Sequence, residues 1–374
     1  MRPNNVLGLI YSSSYEQALN QMTALRTIAS VPFGCRYRMI DFPLSNMVNA
    51  GMTQVGIITK SNYRSLMDHI GAGRPWDLDR KREGLFLLPP YSVSGLSDHG
   101  ADNKVAALHS NMHFVNRSQK DYVLLTDANS VYNFDFRDLM EFHEKKKADI
   151  TIAYKNGIVP NLQGIMKLSV EKDGRVTKIK TAKSENQSPE NYSFNIMIMK
   201  SSLLEDLINE AHMKERKHFS EDVIAPRADD LKIFGYKIEG YSNMASSLLD
   251  YYNMNMDLLQ LKNRQQLFNR ANPITTKVLD NIPATYGLNA DVHNSLIADG
   301  CKINGIVENS ILFRDVVVEE GVHIKNSILM QGTIVRKNSN LNAVIADKEV
   351  IINEDRYLSG DAVFPVYISK KATV

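Results

Sequence analysis

The chain has 374 residues, of which 43% are hydrophobic and 23% charged, with a formal net charge of +2. That size and composition suit two ordinary globular domains, and so even a charge balance sets up no field that would draw in nucleic acid or an acidic membrane surface. Its two cysteines, Cys35 and Cys301, have no metal-ligand spacing, and no apolar run reaches the length of a secretory leader or a membrane span, so the sequence reads as that of a cytoplasmic protein with reduced thiols.

The apolar run Val6 to Ile10 predicts a buried first strand. A nucleotide-binding α/β domain would follow it with a glycine-rich turn whose bare backbone approaches a phosphate. Here the turn reads Tyr11-Ser12-Ser13-Ser14-Tyr15-Glu16, without glycine and with an added carboxylate. Val55 to Thr59 is a second strand, followed by a polar helical stretch from Arg64 to Ile70. Arg74 to Leu96, with Trp76 and Pro89-Pro90, reads as a long excursion over the sheet, either a lid or interface or a plain surface loop. Tyr122 to Thr126 is another buried strand and Phe136 to Lys147 an amphipathic helix, with further strands at Ile150 to Tyr154 and Phe194 to Met199. The alternation predicts a mostly parallel sheet with helices on both faces. Ligands in such sheets sit at the carboxyl ends of the strands, which directs attention to the turns after Ile10 and Thr126. A helix from Ser247 to Phe268 and a linker punctuated by Pro273, Pro283 and Gly287 follow. The chain thus divides into a sheet domain over 1–246, a joining segment over 247–286 and a third region over 287–374.

In that third region one phrase occurs four times, as Asn294-Ser295-Leu296-Ile297, Asn309-Ser310-Ile311-Leu312, Asn326-Ser327-Ile328-Leu329 and Asn342-Ala343-Val344-Ile345. Val316, Val322, Ile328 and Ile334 recur every six residues within it. A six-residue period fits neither a helix nor an alternating strand, but it fits a parallel β-helix whose coils bury their inner face only by stacking. A set of hairpins would instead need Asn-Gly or Asp-Gly turns throughout, and only Asp299-Gly300 and Asn304-Gly305 offer them.

The block from Val31 to Asn46, VPFGCRYRMIDFPLSN, resembles the V-x-F-G-G-x-Y-R-I-I-D-F-x-L-S-N block of bacterial glucose-1-phosphate adenylyltransferase, the ADP-glucose pyrophosphorylase of glycogen synthesis. Asn309 to Arg314 is similar to that family's β-helix phrase, and Asn255 to Leu258 to the helix joining its domains. The resemblance spans nearly the whole chain. It implies an α/β, Rossmann-like nucleotidyltransferase domain of GT-A-like type followed by a C-terminal left-handed parallel β-helix. It also implies descent from an enzyme that makes ADP-glucose and pyrophosphate from ATP and glucose 1-phosphate. Such nucleotidyl transfer needs a bare-backbone turn at the phosphates, a lysine beside them and carboxylates for Mg2+.

Measured against that pattern, each part has changed. The family's L-A-G-G-x-G-x-R-L falls on Tyr11 to Leu19, with Ser13, Ser14 and Glu16 at glycine places and Ala18 at the arginine. In R-A-K-P-A, Arg26 is kept but Ile28 replaces the lysine. The metal-binding G-D-H-I-Y best matches Ala128 to Tyr132, putting Asn129 at the aspartate, although a shifted register would let Asp127 substitute. R-D-V-G-T reads Asn243 to Ser247, with Met244 at the second metal aspartate, and G-T-A-D-A reads Asn103 to Ala107. The expectation is therefore no catalytic residue, no metal and no cofactor on this chain. The pattern is similar to that of the family's non-catalytic subunit in Gram-positive bacteria. That likeness implies a regulatory chain in a hetero-oligomer, a tetramer, whose Mg2+ belongs to the catalytic partner.

Some retained residues have two readings. Arg26, Arg36 and Arg38 form a cationic group where the family binds anionic effectors, or else ion-pair with Asp41 or another carboxylate. Lys183 resembles the lysine of the family's E-K-P sugar-phosphate phrase, but between Ala182 and Ser184 it reads rather as a solvated surface residue. Asp222 fits the D-F-G-K-D phrase and with it a remnant sugar pocket. His69 reads as a packed helix histidine, and His293 and His323 are the only candidates for the acyl transfer that β-helices often perform. Three functions follow: a regulatory subunit, a weak adenylyltransferase using Asp127, or a sensor of sugar phosphates or other effectors.

Overall fold

The computed structural model describes residues 1–60, 62–89, 103–181 and 188–374. All six residues of the first strand, β1 (Val6–Tyr11), are buried, as expected of a strand covered on both faces. Its side chains alternate: Val6 and Ile10 enter one apolar cluster with Leu44, Trp76 and Phe136, while Leu7, Leu9 and Tyr11 enter another with Leu125, Leu204 and Phe219. Gly8 is required by this packing, since a Cβ there would lie 2.6 Å from the sulfur of Met47 on the helix Asp41–Asn49.

The remaining strands of the sheet are β2 (Gln54–Ile58), β3 (Gly84–Leu88), β4 (Tyr122–Asp127), β5 (Ile150–Gly157), β6 (Met166–Val170), β7 (Val176–Thr181), β8 (Glu190–Lys200) and β9 (Ile233–Lys237). Their order is β7-β6-β8-β4-β1-β2-β3, with β5 pairing both β8 and β9. β4, β1, β2 and β3 run parallel. β8 runs antiparallel to β4, β5 and β6, and β6 to β7, so the sheet is half parallel rather than mostly so. The cause is local. β6 and β7 are joined by a tight turn in which the Glu171 N–H reaches the Arg175 carbonyl at 2.9 Å, and so short a connection permits only an antiparallel return.

Two further expectations need correction. The segment after Arg74 is not an excursion from its start: Trp76 is buried in the core and Gly84–Leu88 forms the edge strand β3. Pro90 to Leu96 lie outside the described residues, so the lid reading is left with no described segment of its own. The joining helix is also broken, into Leu248–Met256, a single 3-10 turn Asp257–Leu259 and Leu261–Leu267. Gln260 is extended at the break, and Arg264 caps the 3-10 turn by donating to the carbonyls of Leu258 and Leu259 at 2.7 and 3.0 Å.

From Thr285 onward the chain winds into three parallel five-stranded sheets, the faces of a left-handed β-helix. The repeated phrase is one of its corners. Asn294, Asn309 and Asn326 take the left-handed conformation there, with φ of 42°, 46° and 48°. Each serine that follows bridges two coils: the N–H of Ser310 donates to Ser295 Oγ, that of Ser327 to Ser310 Oγ and that of Val344 to Ser327 Oγ. The fourth phrase sits one residue out of register, because Ile328 pairs with Ile345 and Ala343, not Asn342, takes the positive φ. Successive corner serines are 15 and then 17 residues apart, so the six-residue period drifts. By the fourth position Ile334 is only half-buried, and Val335 fills the interior instead.

The two domains meet across a continuous apolar seam. Leu19, Met22, Ile28, Phe33 and Met39 of the sheet domain pack with Tyr251 and Tyr252 of the joining helix, and with Ile311, Phe313, Ile328 and Met330 of the β-helix. Among the described residues no helix is long and apolar enough to cross a membrane.

Candidate functional site

The carboxyl ends of β1 and β4 come together where a nucleotide would be expected. Ser12, Ser13 and Ser14 are buried, and the turn closes on the protein itself: the Ser12 N–H donates to the Ile58 carbonyl at 3.0 Å and the Ala29 N–H to the Ser12 carbonyl at 3.4 Å. Tyr15 then takes φ 59°, and half-buried Glu16 begins a short 3-10 turn, Glu16–Leu19. The first N–H of the turn is thereby committed to the neighbouring strand rather than to a phosphate.

Asp127, the last residue of β4, is 1% exposed and has both oxygens engaged. Oδ1 accepts from the ammonium of Lys104, the first residue of the helix Lys104–Ser110. Oδ2 accepts from the side-chain amide of Asn195 at 2.9 Å, and the same nitrogen reaches the Tyr15 hydroxyl at 2.9 Å. Asn195 is aimed there by a bulge in β8, where the register shifts between Ser193 and Ile196 and Asn195 adopts φ 55°. Lys104 lies over the rings of Tyr11 and Phe219, at 5.4 and 6.0 Å from their centroids, and Lys60 lies 5.8 Å from the Tyr11 ring.

The other positions singled out in the sequence are dispersed. Asn129 is fully buried, and neither polar atom of its side chain has a hydrogen-bond partner. Met244 lies in the apolar core of the sheet domain, and Ile28 in the interdomain seam. Asp222 turns its carboxylate onto its own segment, accepting the N–H groups of Lys217 and His218 at 3.1 and 2.9 Å. Lys183 lies outside the described residues. This donor set does not suit Mg2+, which wants several oxygen ligands in octahedral array. One carboxylate is held by an ammonium, the second position is an amide and the third a thioether. Among the described residues no group of three or more His, Cys, Asp or Glu side chains could hold a metal ion.

The three arginines diverge. Arg26 is buried and pairs with Asp347 of the β-helix, whose carboxylate also accepts from the Tyr367 hydroxyl at 2.7 Å and from the Lys348 N–H at 2.7 Å. Burial alone would lower the Arg26 pKa, but the hydrogen bond and charge of Asp347 more than offset it and hold it above its ordinary value. Arg38 uses its guanidinium on the carbonyl and hydroxyl of Ser65 and gives only its backbone N–H to Asp41. Arg36 is exposed, over the Tyr37 ring at 5.6 Å. Asp41 is instead bound by His69, Nε2 to Oδ1 at 2.6 Å, and burial lowers the pKa of that imidazole.

Arg36 and Arg38 open onto a cavity of about 220 Å3 in the seam, to which the β-helix contributes Arg314 and Lys348 and the linker Lys277. Arg314 is paired with Asp299 at 3.1 Å, and Lys277 donates to the Asp68 carbonyl at 2.8 Å. Burial, with repulsion from Arg38 and Arg26, pulls the Lys348 amine down to about 7 despite the neighbouring Asp347. Burial likewise lowers Arg38 to about 10. Cys35 also lines this cavity, its thiol pushed far up by burial, and Cys301 is buried, raised to about 11 mainly for the same reason. His293 and His323 sit on one face of the β-helix beside Asp291 and Glu308.

The sequence pointed to Asp127, Arg36 and Arg38 but not to their partners. Lys104 was visible only as a cation in place of a threonine, and Lys348 only as one surface lysine among many. Asn195 carried no signal, because nothing in the sequence announces the bulge that turns it inward.

A closed nucleotide turn, a β-helix docked on it and a cationic seam between them define a nucleotidyltransferase-type protein with a hexapeptide-repeat domain. A model described as nucleotidyl transferase matches residues 17–237, and one described as GlmU-like, C-terminal hexapeptide matches residues 282–362. The chain belongs to the nucleotidyl transferase family, in its glucose-1-phosphate adenylyltransferase branch. It is 34% identical over 368 residues to the glycogen biosynthesis protein GlgD of Bacillus subtilis, covering 98% of this chain and 96% of that one. To GlgD of Geobacillus stearothermophilus it is 36% identical over 321 residues, 85% and 82% of the two chains. To the glucose-1-phosphate adenylyltransferase of Clostridium botulinum strain Alaska E43 it is 34% identical over 342 residues, 88% and 85% of the two chains.

Proposed function

We propose that this chain acts in bacterial glycogen biosynthesis as a non-catalytic regulatory subunit of glucose-1-phosphate adenylyltransferase, bound to a catalytic subunit in a cytoplasmic heterotetramer. Overall identity does not discriminate here, since relatives named GlgD and relatives named as the enzyme are about equally similar. The observation that carries the reading is the state of Asp127. It is the carboxylate that the weak-adenylyltransferase reading would put in place of the missing metal aspartate, and its oxygens are committed to Lys104 and Asn195. With Ile28 and Met244 buried in apolar clusters, a phosphate donor and a second metal ligand are gone as well. Each such preorganised group is worth roughly 10²–10³-fold in rate.

The seam cavity supports the regulatory half of the proposal. Arg36, Arg38, Arg314 and Lys348 gather cationic groups from both domains around one space. An anionic effector held there would touch both domains at once and bias how they sit against each other.

The test is to incubate the pure chain with ATP, glucose 1-phosphate and Mg2+ and follow pyrophosphate. No release above background is expected, and ATP with Mg2+ binds weakly or not at all. Turnover in the ordinary enzymatic range, about 1–10³ s⁻¹, would favour the weak-adenylyltransferase reading instead.

A further inference from the structure

The helices Lys104–Ser110 and Ser201–Met213 share one apolar cluster, through Val105 and Leu108 of the first and Leu204, Leu207 and Ile208 of the second. Between them, half-buried His109 and exposed His212 lie flat on each other, with ring centroids 3.7 Å apart and planes 13° from parallel. Each histidine is in the last turn of its helix, where the helix dipole favours positive charge. Two protons are therefore drawn to a place that cannot hold both. One ring can take a proton and stay over its neutral neighbour, as a cation over an aromatic face. A second proton sets like charges face to face and drives the rings apart, so the pair titrates in two coupled steps. The other charged groups on these two helices are Lys104, held by Asp127, and Glu205, Asp206 and Glu210. Glu205 accepts the Asn116 amide at 2.7 Å, and Glu210 is held by Lys214 and Arg227. Met112–Ser118, packed against both helices, adds His113 and Arg117. The segment 214–218, whose Lys217 carbonyl takes the Val105 N–H at 3.4 Å, adds Glu215, Arg216 and His218. Of all these, the charge that lowers the His109 pKa is that of His212, second only to burial.

We propose that the His109–His212 stack is an acid-sensitive latch. It holds the last turn of Lys104–Ser110 against Ser201–Met213 while the two rings carry at most one proton, and releases it when both are protonated. The helix is fastened at both ends. Its first residue, Lys104, pairs with Asp127 at the end of β4, and Asn103 fixes that turn by accepting the Ala106 N–H at 2.9 Å. Acid undoes the stack and leaves the ion pair, so the loosening is local rather than global. In the unfolded chain each imidazole takes its proton near the ordinary value of 6.5, whereas folded His109 takes its own only below that. The stability carried by the stack is therefore complete above about pH 6.5 and is lost as pH falls through that value toward the folded pKa. The latch belongs to the fold itself and is independent of whether the chain regulates an enzyme.

The test follows amide hydrogen exchange and imidazole titration by NMR in the full chain, without any partner subunit. Three proteins are compared: the native chain, His109→Phe, which keeps a flat ring over His212 but takes no proton, and His212→Gln, which removes the stacked ring. In the native chain, protection over residues 104–110, corrected for intrinsic exchange, should fall on the order of tenfold between about pH 7 and about pH 5. The two imidazoles should titrate there as a coupled pair. His109→Phe should keep its protection across the same range. In His212→Gln, His109 should titrate at higher pH than in the native chain, because the neighbouring charge is gone. Native protection that is unchanged at about pH 5 overturns the proposal, as does equal loosening of His109→Phe, which would place the acid response elsewhere. A His109 titration unmoved by His212→Gln overturns it too, since the rings would then not be coupled.

Discussion

At the end of β4, charge is cancelled inside the protein. Lys104 meets Asp127, Asn195 donates to its second oxygen, and the turn beside them is tied through Ser12 to Ile58 and Ala29. In the seam the opposite holds. Arg38, Arg36 and Lys348 face a shared cavity, and burial, with repulsion from Arg38 and Arg26, lowers the Lys348 pKa to about 7. A site whose charges are matched has no need of a ligand, whereas one with crowded like charges gains by taking up an anion. On the proposed reading, the strand-end position no longer performs chemistry and the position between the domains is where an anion would act.

The comparison can be broken most sharply at the Arg26–Asp347 pair, which fastens the domains together beside the cavity. Asp347→Ala leaves the Arg26 guanidinium buried and unpaired and should cost about 3–5 kcal/mol in denaturant unfolding. A loss below about 1 kcal/mol would mean the seam does not depend on this pair. Next is an attempt to restore chemistry. Ile28→Lys returns the family's lysine but places it in the apolar seam, so it should lose about 2–4 kcal/mol of stability and yield no pyrophosphate. Measurable synthesis by this single variant would show the site to be less sealed than its contacts imply.

Within the β-helix, Ser327→Ala removes the acceptor of the Val344 N–H and a donor to the Lys325 carbonyl. It should cost about 1–3 kcal/mol, because the N–H is left buried. The last effect, at Lys348, is read as a pH dependence. Between about pH 7 and the ordinary lysine value of 10.5 the unfolded chain binds the proton that the folded chain releases, so stability from this position rises with pH across that window. Lys348→Met should flatten that rise and weaken sulfate binding by roughly tenfold, one lost charge contact. Sulfate binding to the native chain near neutral pH should take up a proton, as read by calorimetry in buffers of different ionisation enthalpy.

Much of this was legible in the sequence where the signal was periodic or densely patterned. The α/β order and the β-helix were apparent from local runs, whereas Arg26, Arg36 and Arg38, close in sequence, take different partners. What escaped was set by pairing between distant segments. The antiparallel return of β7 on β6 depends on the turn between them, the drift of the six-residue period on coils that close one residue short, and the break at Gln260 on a side-chain cap from Arg264. The same holds for the site. The substitutions at Ile28, Asn129 and Met244 could be read one by one, but Lys104, Asn195 and Lys348 acquire meaning only through partners 23, 68 or more residues away.

The most direct test of the regulatory account is to co-purify this chain with the catalytic glucose-1-phosphate adenylyltransferase subunit of the same organism and measure ADP-glucose synthesis per catalytic subunit. The pair should form a stable complex whose turnover or response to anionic effectors differs from that of the catalytic subunit alone by roughly 5–150-fold, the usual range of coupling between sites. Failure to associate, or association with unchanged rates and unchanged effector response, would contradict it.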